Sequence, residues 1–422
     1  MTGLGLGLDL GTSGVRSAVV DSGGAVLSMA RASYGNAADR RDPERWWGAV
    51  QECLHAQIKA LVARDINAQD IAHIAVDGTS GSLVLTDGAL GPVTQALMYD
   101  DGGFEAEATT IARHTPDPHI TRGSNSALAR AMRLVAEDTD GRAAHLLHQA
   151  DFIAARLRGG GAVSDVNNAL KTGCDPKNAT WPDWIGALLP ARLLPDLVMP
   201  GAVIGSISPN IANQFSLSKH AIIHAGTTDS IAAFLAAVPA KEGAAVTSIG
   251  TTLAIKLFSR TRIDAPECGL YAHRLGDGWL VGGASNTGGG VLRAHFSDEQ
   301  LELLSARIDG SKPSGLDYYP LKKPGERFPI NDPGLRPRLT PRPDNDADFL
   351  HGMLEGIARI EHRAYASLQD RGAPVPDRIL TAGGASRNPA LTQIRERILG
   401  RPVQAAHEIE AAIGAARLAL SP

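Results

Sequence analysis

No Gly-Lys dipeptide occurs anywhere in the 422 residues, and that absence excludes a Walker A loop, whose lysine must follow its last glycine. The other common phosphate loop fails as well. Gly3, Gly5 and Gly7 do not complete a Gly-x-Gly-x-x-Gly, and the turn after them leads into a strand instead of a helix. Cysteine is scarce: Cys53, Cys174 and Cys268 are an odd number without metal-ligand spacing, which points to free thiols in a reducing compartment. Charge of one sign is not in excess. With 41 basic against 45 acidic residues, a net of −4 and no long block of either sign, a nucleic-acid surface is not expected. No run approaches the roughly 18 continuous apolar residues of a membrane helix. The N-terminus lacks a basic segment and carries Asp9 within its apolar run, unlike a signal peptide. A cytoplasmic protein with no membrane partner is expected.

Glycine is what the chain has in excess, with 46 residues where a usage of about 7% would give near thirty. Many sit in Gly-Thr, Gly-Gly and Thr-Gly pairs at the ends of apolar runs, where tight turns or close approach of a ligand to the backbone would require them. The most informative cluster opens the chain. Leu4, Leu6, Leu8 and Leu10 alternate with glycines and run into Asp9-Leu10-Gly11-Thr12-Ser13-Gly14, after which Val15-Arg16-Ser17-Ala18-Val19-Val20 resumes. This pattern predicts two strands joined by a tight hairpin. Backbone N–H groups, two hydroxyls and one carboxylate at such a turn suit a polyphosphate with its magnesium.

Ala25 to Met29 predicts a third strand. Asp42-Pro43-Glu44, ahead of Trp47, Val50, Leu54, Ile58 and Leu61, predicts a helix with its N-cap and N1 proline in place. Ile71 to Val76 predicts another strand, ending in Asp77-Gly78-Thr79-Ser80-Gly81, so the chain is α/β. The length allows roughly two or three domains. Ala245 to Ile249, Gly250-Thr251-Thr252 and Leu253 to Phe258 repeat the strand, Gly-Thr turn and strand of the N-terminus. Either the two hairpins are alike by chance, or two domains of related topology occupy 1–238 and 239–422. Further on, the proline-rich stretch Pro313 to Pro343 reads as a surface excursion. Asp346 to Gln369 predicts a long amphipathic helix, and Ala411 to Leu420 a final one.

These motifs, in this order, resemble the FGGY carbohydrate kinases, within the superfamily that also holds actin and the chaperone ATPases. The resemblance spans nearly the whole chain. Gly7-Leu8-Asp9-Leu10-Gly11-Thr12-Ser13 with Arg16 is similar to the first phosphate motif, and Gly226-Thr227-Thr228-Asp229 to the segment with the catalytic aspartate. Gly250-Thr251-Thr252 is similar to the second phosphate motif, and Gly383-Gly384-Ala385 with Asn388 to the adenosine motif. The resemblance implies two actin-like (ribonuclease H-like) ATPase domains with a central cleft, and a kinase using ATP and Mg²⁺ on a small-molecule sugar as monomer or homodimer. It implies Asp229 as the base at the sugar hydroxyl, and Asp9 as the magnesium residue, through water. Gly11, Thr12, Ser13 and Arg16 fall to the phosphates, as do Gly250, Thr251 and Thr252. Gly288, Gly383, Gly384 and Asn388 fall to the nucleotide. From the residues alone, Asp229 also reads as a helix cap, Asp9 as a turn residue and Gly288 as a helix-start turn.

For the sugar, Ser80, Tyr99, Asp101 and Asp229 are the candidates. Xylulose kinases place Gly-Gln-x-His-Gly where this chain has Asp77-Gly78-Thr79-Ser80-Gly81, which is more similar to ribulose kinases. The family's Trp-x-Asp-x-Arg motif falls on Tyr99-Asp100-Asp101-Gly102-Gly103, where the arginine is missing. Asn167-Asn168-Ala169-Leu170-Lys171 reads as a solvated turn or as added pocket polarity. D-ribulose is the first expectation and D-xylulose the next, ahead of another pentose or polyol. A nucleotide-dependent binding protein of actin-like type, or a degenerate kinase kept for regulation, are the readings from other classes.

Overall fold

The computed structural model describes residues 3–36 and 39–421. Met1, Thr2, Ala37, Ala38 and Pro422, which fall inside the expected domain ranges, lie outside the described residues. Packing divides the chain into two units, the first formed by Met1–Ala236, His273–Gly276 and Glu410–Pro422, the second by Ala237–Ala272 and Asp277–Ile409.

The first unit is built on a six-stranded sheet. Strands β1 (Leu4–Leu10), β2 (Gly14–Val20) and β3 (Val26–Ser33) form an antiparallel meander, and β1 also pairs in parallel with β4 (Ile71–Gly78). Ile222–Thr228 follows β4 in parallel, and Val203–Ser206 closes the edge. On one face Leu6, Leu8 and Leu10 are buried with Trp46, Val50, Leu54 and Leu61 of the helix Pro43–Val62. That helix starts where its cap chemistry placed it: Asp42 accepts the Glu44 N–H at 2.9 Å, and Pro43 occupies the first turn.

The glycine face of β1 has a different purpose. A Cβ on Gly7 would stand 1.9 Å from the Ala412 carbonyl oxygen, and one on Gly414 would stand 1.7 Å from that of Ala232. The helix Ala411–Leu420 therefore lies against bare backbone. Its small residues, Ala411, Ala412, Gly414, Ala415, Ala416 and Ala419, are all buried, as a helix apolar but for Arg417 must be. This packing groups the last helix with the first unit, whereas the sequence reading assigned all of 239–422 to the second domain. The difference is tertiary: nothing local to Ala411–Leu420 names the surface that will cover it.

The second unit repeats the plan. Ala245–Ile249 and Leu253–Ser259 form a hairpin, Gly278–Ser285 adds to it antiparallel, and Ile379–Ala382 pairs in parallel on the other side of Ala245–Ile249. The helix Asp346–Gln369 has the bounds its periodicity predicts and buries Phe349, Met353, Ile357 and Ile360. Pro313 to Pro343 is not a simple surface excursion. Tyr318, Leu321, Glu326 and Phe328 are buried, and Glu326 accepts from Ser285 Oγ at 2.6 Å and the Asn286 N–H at 2.7 Å.

A buried histidine pair links two of the parallel strands of the first unit, with His73 Nδ1 3.0 Å from His224 Nε2 and His224 Nδ1 2.8 Å from the Gly201 carbonyl oxygen. Burial depresses both imidazoles below their ordinary 6.5, and for His73 the facing ring adds to it. The unfolded chain takes up these protons first, so this contribution is complete above about pH 6.5 and is lost as the pH falls through the folded values. The unfolding midpoint should drop between about pH 7.5 and about pH 5.5, and His73→Phe should flatten that slope. An equal slope in wild type and variant would contradict this.

Candidate active site

Three neighbouring parallel strands of the first unit deliver a carboxylate to the same edge. Asp9 near the end of β1 pairs in register with Asp77 of β4, and Thr227 pairs with Asp77 and Thr228 with Gly78, so Asp229 follows directly as the first residue of the helix Asp229–Ala237. The carboxyl ends of parallel strands are where open α/β sheets bind ligands. Asp229 is half-buried, and its Oδ1 accepts the Ser230 N–H at 2.6 Å.

Asp9 is 2% exposed and Asp77 fully enclosed. Burial raises both carboxyls above their ordinary range, and Asp77 is pushed further by the Asp9 and Asp229 charges. No donor reaches either oxygen of Asp77. What faces it is the Asp9 carboxyl, and two such groups can hydrogen-bond only when one keeps a proton. Arg16, opposite Asp9 in the hairpin register, donates from Nη1 to Asp9 Oδ2 at 3.3 Å, and its Nε lies 3.4 Å from Glu410 Oε2. The turn itself is closed by the Gly11 N–H on the Gly14 carbonyl at 3.0 Å, leaving Thr12 and Ser13 exposed. Thr12 Oγ1 and the Tyr99 hydroxyl are 3.3 Å apart. The two Asp77 oxygens, which no N–H reaches, and the Asp9 carboxyl, beside this turn, are a donor set that fits a hard divalent cation.

Beside them lies the Thr79 to Gly81 loop. Thr79 is fully engaged, donating its N–H and Oγ1 to Gln149 Oε1 at 3.2 and 2.8 Å and sharing a 2.6 Å hydrogen bond with Ser82 Oγ. Ser80 Oγ is buried without a partner. Asp101 is committed to its own loop: Arg41 clasps both its oxygens, one at 2.7 Å, and the Met98 N–H donates to Oδ2 at 2.8 Å. An arginine from elsewhere in the chain holds this loop. Arg130, on the helix Ala127–Glu137, donates to the Gly81, Asp101 and Asn125 carbonyls at 3.2, 3.3 and 2.9 Å, and to that of Tyr99. It ties the Ser80 and Tyr99 loops together through backbone alone.

Asn167 and Asn168 form no solvated turn; both are buried. Asn167 Nδ2 donates to Thr227 Oγ1 at 3.0 Å and to the Arg274 carbonyl at 2.8 Å, while its Oδ1 accepts the Arg274 N–H at 2.8 Å. Asp165, held by both asparagine N–H groups, is pushed up to about 7 by burial, then by Asp151.

In the second unit, Gly250, Thr251, Thr252, Gly288 and Gly383 come together. The Gly250 and Thr251 carbonyls accept the Gly289 and Gly290 N–H groups at 2.8 and 3.0 Å. Gly288 has φ +141°, and a Cβ on it would stand 2.7 Å from the Thr252 carbonyl carbon, so backbone packing alone requires that glycine. A Cβ on Gly383 would meet the Ile249 oxygen at 3.0 Å. Gly384 is exposed. Asn388 caps the helix Pro389–Leu399 by accepting the Leu391 N–H at 3.0 Å and donates to Ser305 Oγ at 2.9 Å, which occupies both ends of its amide.

Sequence reasoning passed over Asp77, Arg41 and Arg130. For Asp77 a signal existed: like Asp9, it stands just ahead of a Gly-Thr-Ser-Gly. The two arginines carry none, since their partners are backbone carbonyls, which no residue type marks, and a carboxylate 60 residues away.

Two sheets of like topology, each opened by a Gly-Thr hairpin, define a two-domain α/β fold, which is that of solved FGGY-type carbohydrate kinase structures. Residues 4–236 match the N-terminal domain and residues 245–421 the C-terminal domain of the FGGY family of carbohydrate kinases. The chain belongs to that family and is an ATP-dependent sugar kinase. It is similar to the xylulose kinases of Streptomyces rubiginosus (28% identical, covering 97% of this chain and 86% of that one) and Bacillus subtilis (24% identical, covering 98% and 87%). Among solved structures it resembles the xylulose kinase of Rhodospirillum rubrum, with TM-score 0.83, 23% identity and 99% and 89% of the two chains covered. The Plasmodium falciparum glycerol kinase with ADP gives TM-score 0.82 at 15% identity, covering 99% and 89%. Among the described residues no helix is long and apolar enough to cross a membrane.

Proposed function

We propose that this kinase phosphorylates a free ketopentose, D-ribulose in the first place, forming D-ribulose 5-phosphate. The observation that carries the reading is the Asp77-Gly78-Thr79-Ser80-Gly81 loop: Thr79 is spent on the scaffold, and Ser80 offers a buried hydroxyl with no partner of its own. A sugar hydroxyl would supply that partner, beside the exposed ring of Tyr99. Asp229 takes the proton of the attacking hydroxyl as its oxygen bonds the γ-phosphorus, and the electrons of the breaking P–O bond leave with ADP. Gly11, Thr12, Ser13 and Arg16 are assigned to the terminal phosphates, as are Gly250, Thr251 and Thr252. Gly288, Gly383, Gly384 and Asn388 are assigned to the nucleotide. Magnesium, held at Asp9, would neutralise phosphate charge when bound. In this reading Asp101 acts by shaping the Tyr99 loop, since its oxygens are taken. A cytoplasmic monomer or homodimer fits the three free thiols.

A second reading, D-xylulose as acceptor, is favoured by the names of the similar sequences. The two sugars differ only in configuration at C3, so kcat/KM decides between them. ADP release should be screened across D-ribulose, D-xylulose, L-ribulose, aldopentoses, pentitols and glycerol. The expected result is the highest kcat/KM for D-ribulose, with a raised sugar KM and unchanged ATP KM in Ser80→Ala. A higher value for D-xylulose would install the second reading.

A further inference from the structure

Asp77 differs from the other buried carboxyls that the fold explains. Glu361 is bound by Arg395 through both oxygens, Glu355 by Arg359 and Arg397, Glu326 by Ser285 and Asn286, and Asp165 by backbone N–H groups. Asp77 is fully enclosed, and neither of its oxygens has a donor. Such a group carries an uncompensated desolvation cost. Its surroundings add to that cost: Asp9 lies beside it in register, Asp229 begins the helix beyond the next strand, and Arg16 pairs with Asp9 and Glu410 but not with Asp77. The protein brings together two carboxyls that, without a cation between them, can meet only over a shared proton, and it gives Asp77 no N–H or hydroxyl partner.

We propose that Asp77 shares with Asp9 the divalent cation of the phosphate site, so that the pair, and not Asp9 alone, holds it. This rests on the kinase reading, in which Asp9 is the cation residue. The proposal has a two-sided consequence. Replacing the Asp77 carboxyl by an amide keeps the contact with Asp9 in the ligand-free protein and weakens the cation, whereas a purely structural aspartate would destabilise the fold when replaced.

Mn²⁺ titration by electron paramagnetic resonance, on the full chain with ADP present, tests this in wild type, Asp77→Asn, Asp77→Ser and Asp9→Asn. Both Asp77 variants should bind Mn²⁺ about 10–100-fold more weakly, and Asp77→Asn should melt no lower than wild type without ligand. Unchanged Mn²⁺ affinity in both Asp77 variants, with Asp9→Asn weakened, overturns the sharing while leaving Asp9 in place. No change in any of the three removes the Asp9 assignment and the proposal with it. Failure of both Asp77 variants to fold marks a structural group and also overturns it.

Discussion

Asp229→Ala should lower sugar-dependent ADP formation by about 10²–10⁴-fold, the usual range for a positioned general base. ATP should still bind, because the residues assigned to the phosphates and nucleotide are elsewhere: Asp9 and the Gly11 to Arg16 hairpin, and the Gly250, Gly288 and Gly383 turns. Single-turnover ADP release, with a nucleotide-induced thermal shift on the same variant, separates the two effects. If Asp229 only caps its helix, the variant loses some stability but keeps its turnover. Unchanged kcat would therefore remove the base, and a lost thermal shift would mean that Asp229 belongs to nucleotide binding instead. Asp229→Asn keeps the shape and the cap contact with the Ser230 N–H. It should fail as the alanine variant does, since an amide cannot take the proton.

The second large effect concerns stability. Arg395 and Glu361 are both buried in the second unit, with Arg395 Nε and Nη2 each 2.7 Å from a Glu361 oxygen. Thr247 Oγ1 donates to Glu361 at 2.6 Å, and Arg395 Nη1 to Thr381 Oγ1 at 2.5 Å. One ion pair thus joins two helices to the strands that carry the Gly250 and Gly383 turns. Arg395→Met leaves Glu361 as an uncompensated buried charge and should cost about 3–5 kcal/mol, which lowers the melting temperature of that unit by roughly 10 °C. Arg395→Met with Glu361→Leu removes both charges and should recover much of the loss, because well-packed apolar side chains can replace a buried pair. Calorimetry of the two variants decides the matter. A double variant no more stable than the single would show that the strands need the threonine bonds more than charge balance.

Much of this architecture was legible because it is locally encoded. The Leu4 to Leu10 alternation, the Asp42-Pro43 cap and the 346–369 periodicity act within a few residues of themselves, and each gave its element. The repeated Gly-Thr hairpins gave the two related sheets. That Asp9 and Arg16 lie side by side follows from the hairpin alone, whose register places Arg16 opposite Asp9. The contacts of Asp101 and Asn388 were not readable, since their partners Arg41 and Ser305 are far away in sequence.

The sequence by itself determined that this is an α/β chain with two Gly-Thr hairpins, and ordered the motifs of an FGGY kinase along it. Only the tertiary structure decided that the glycines of β1 exist for the last helix, whose backbone fills the space their side chains would take. Only it decided that Asp77, which no N–H or hydroxyl reaches, meets the carboxyl of Asp9. Periodicity specifies which face of an element is apolar. What covers that face, and which charges meet across neighbouring strands, depends on parallel pairing and packing between segments that local sequence does not encode.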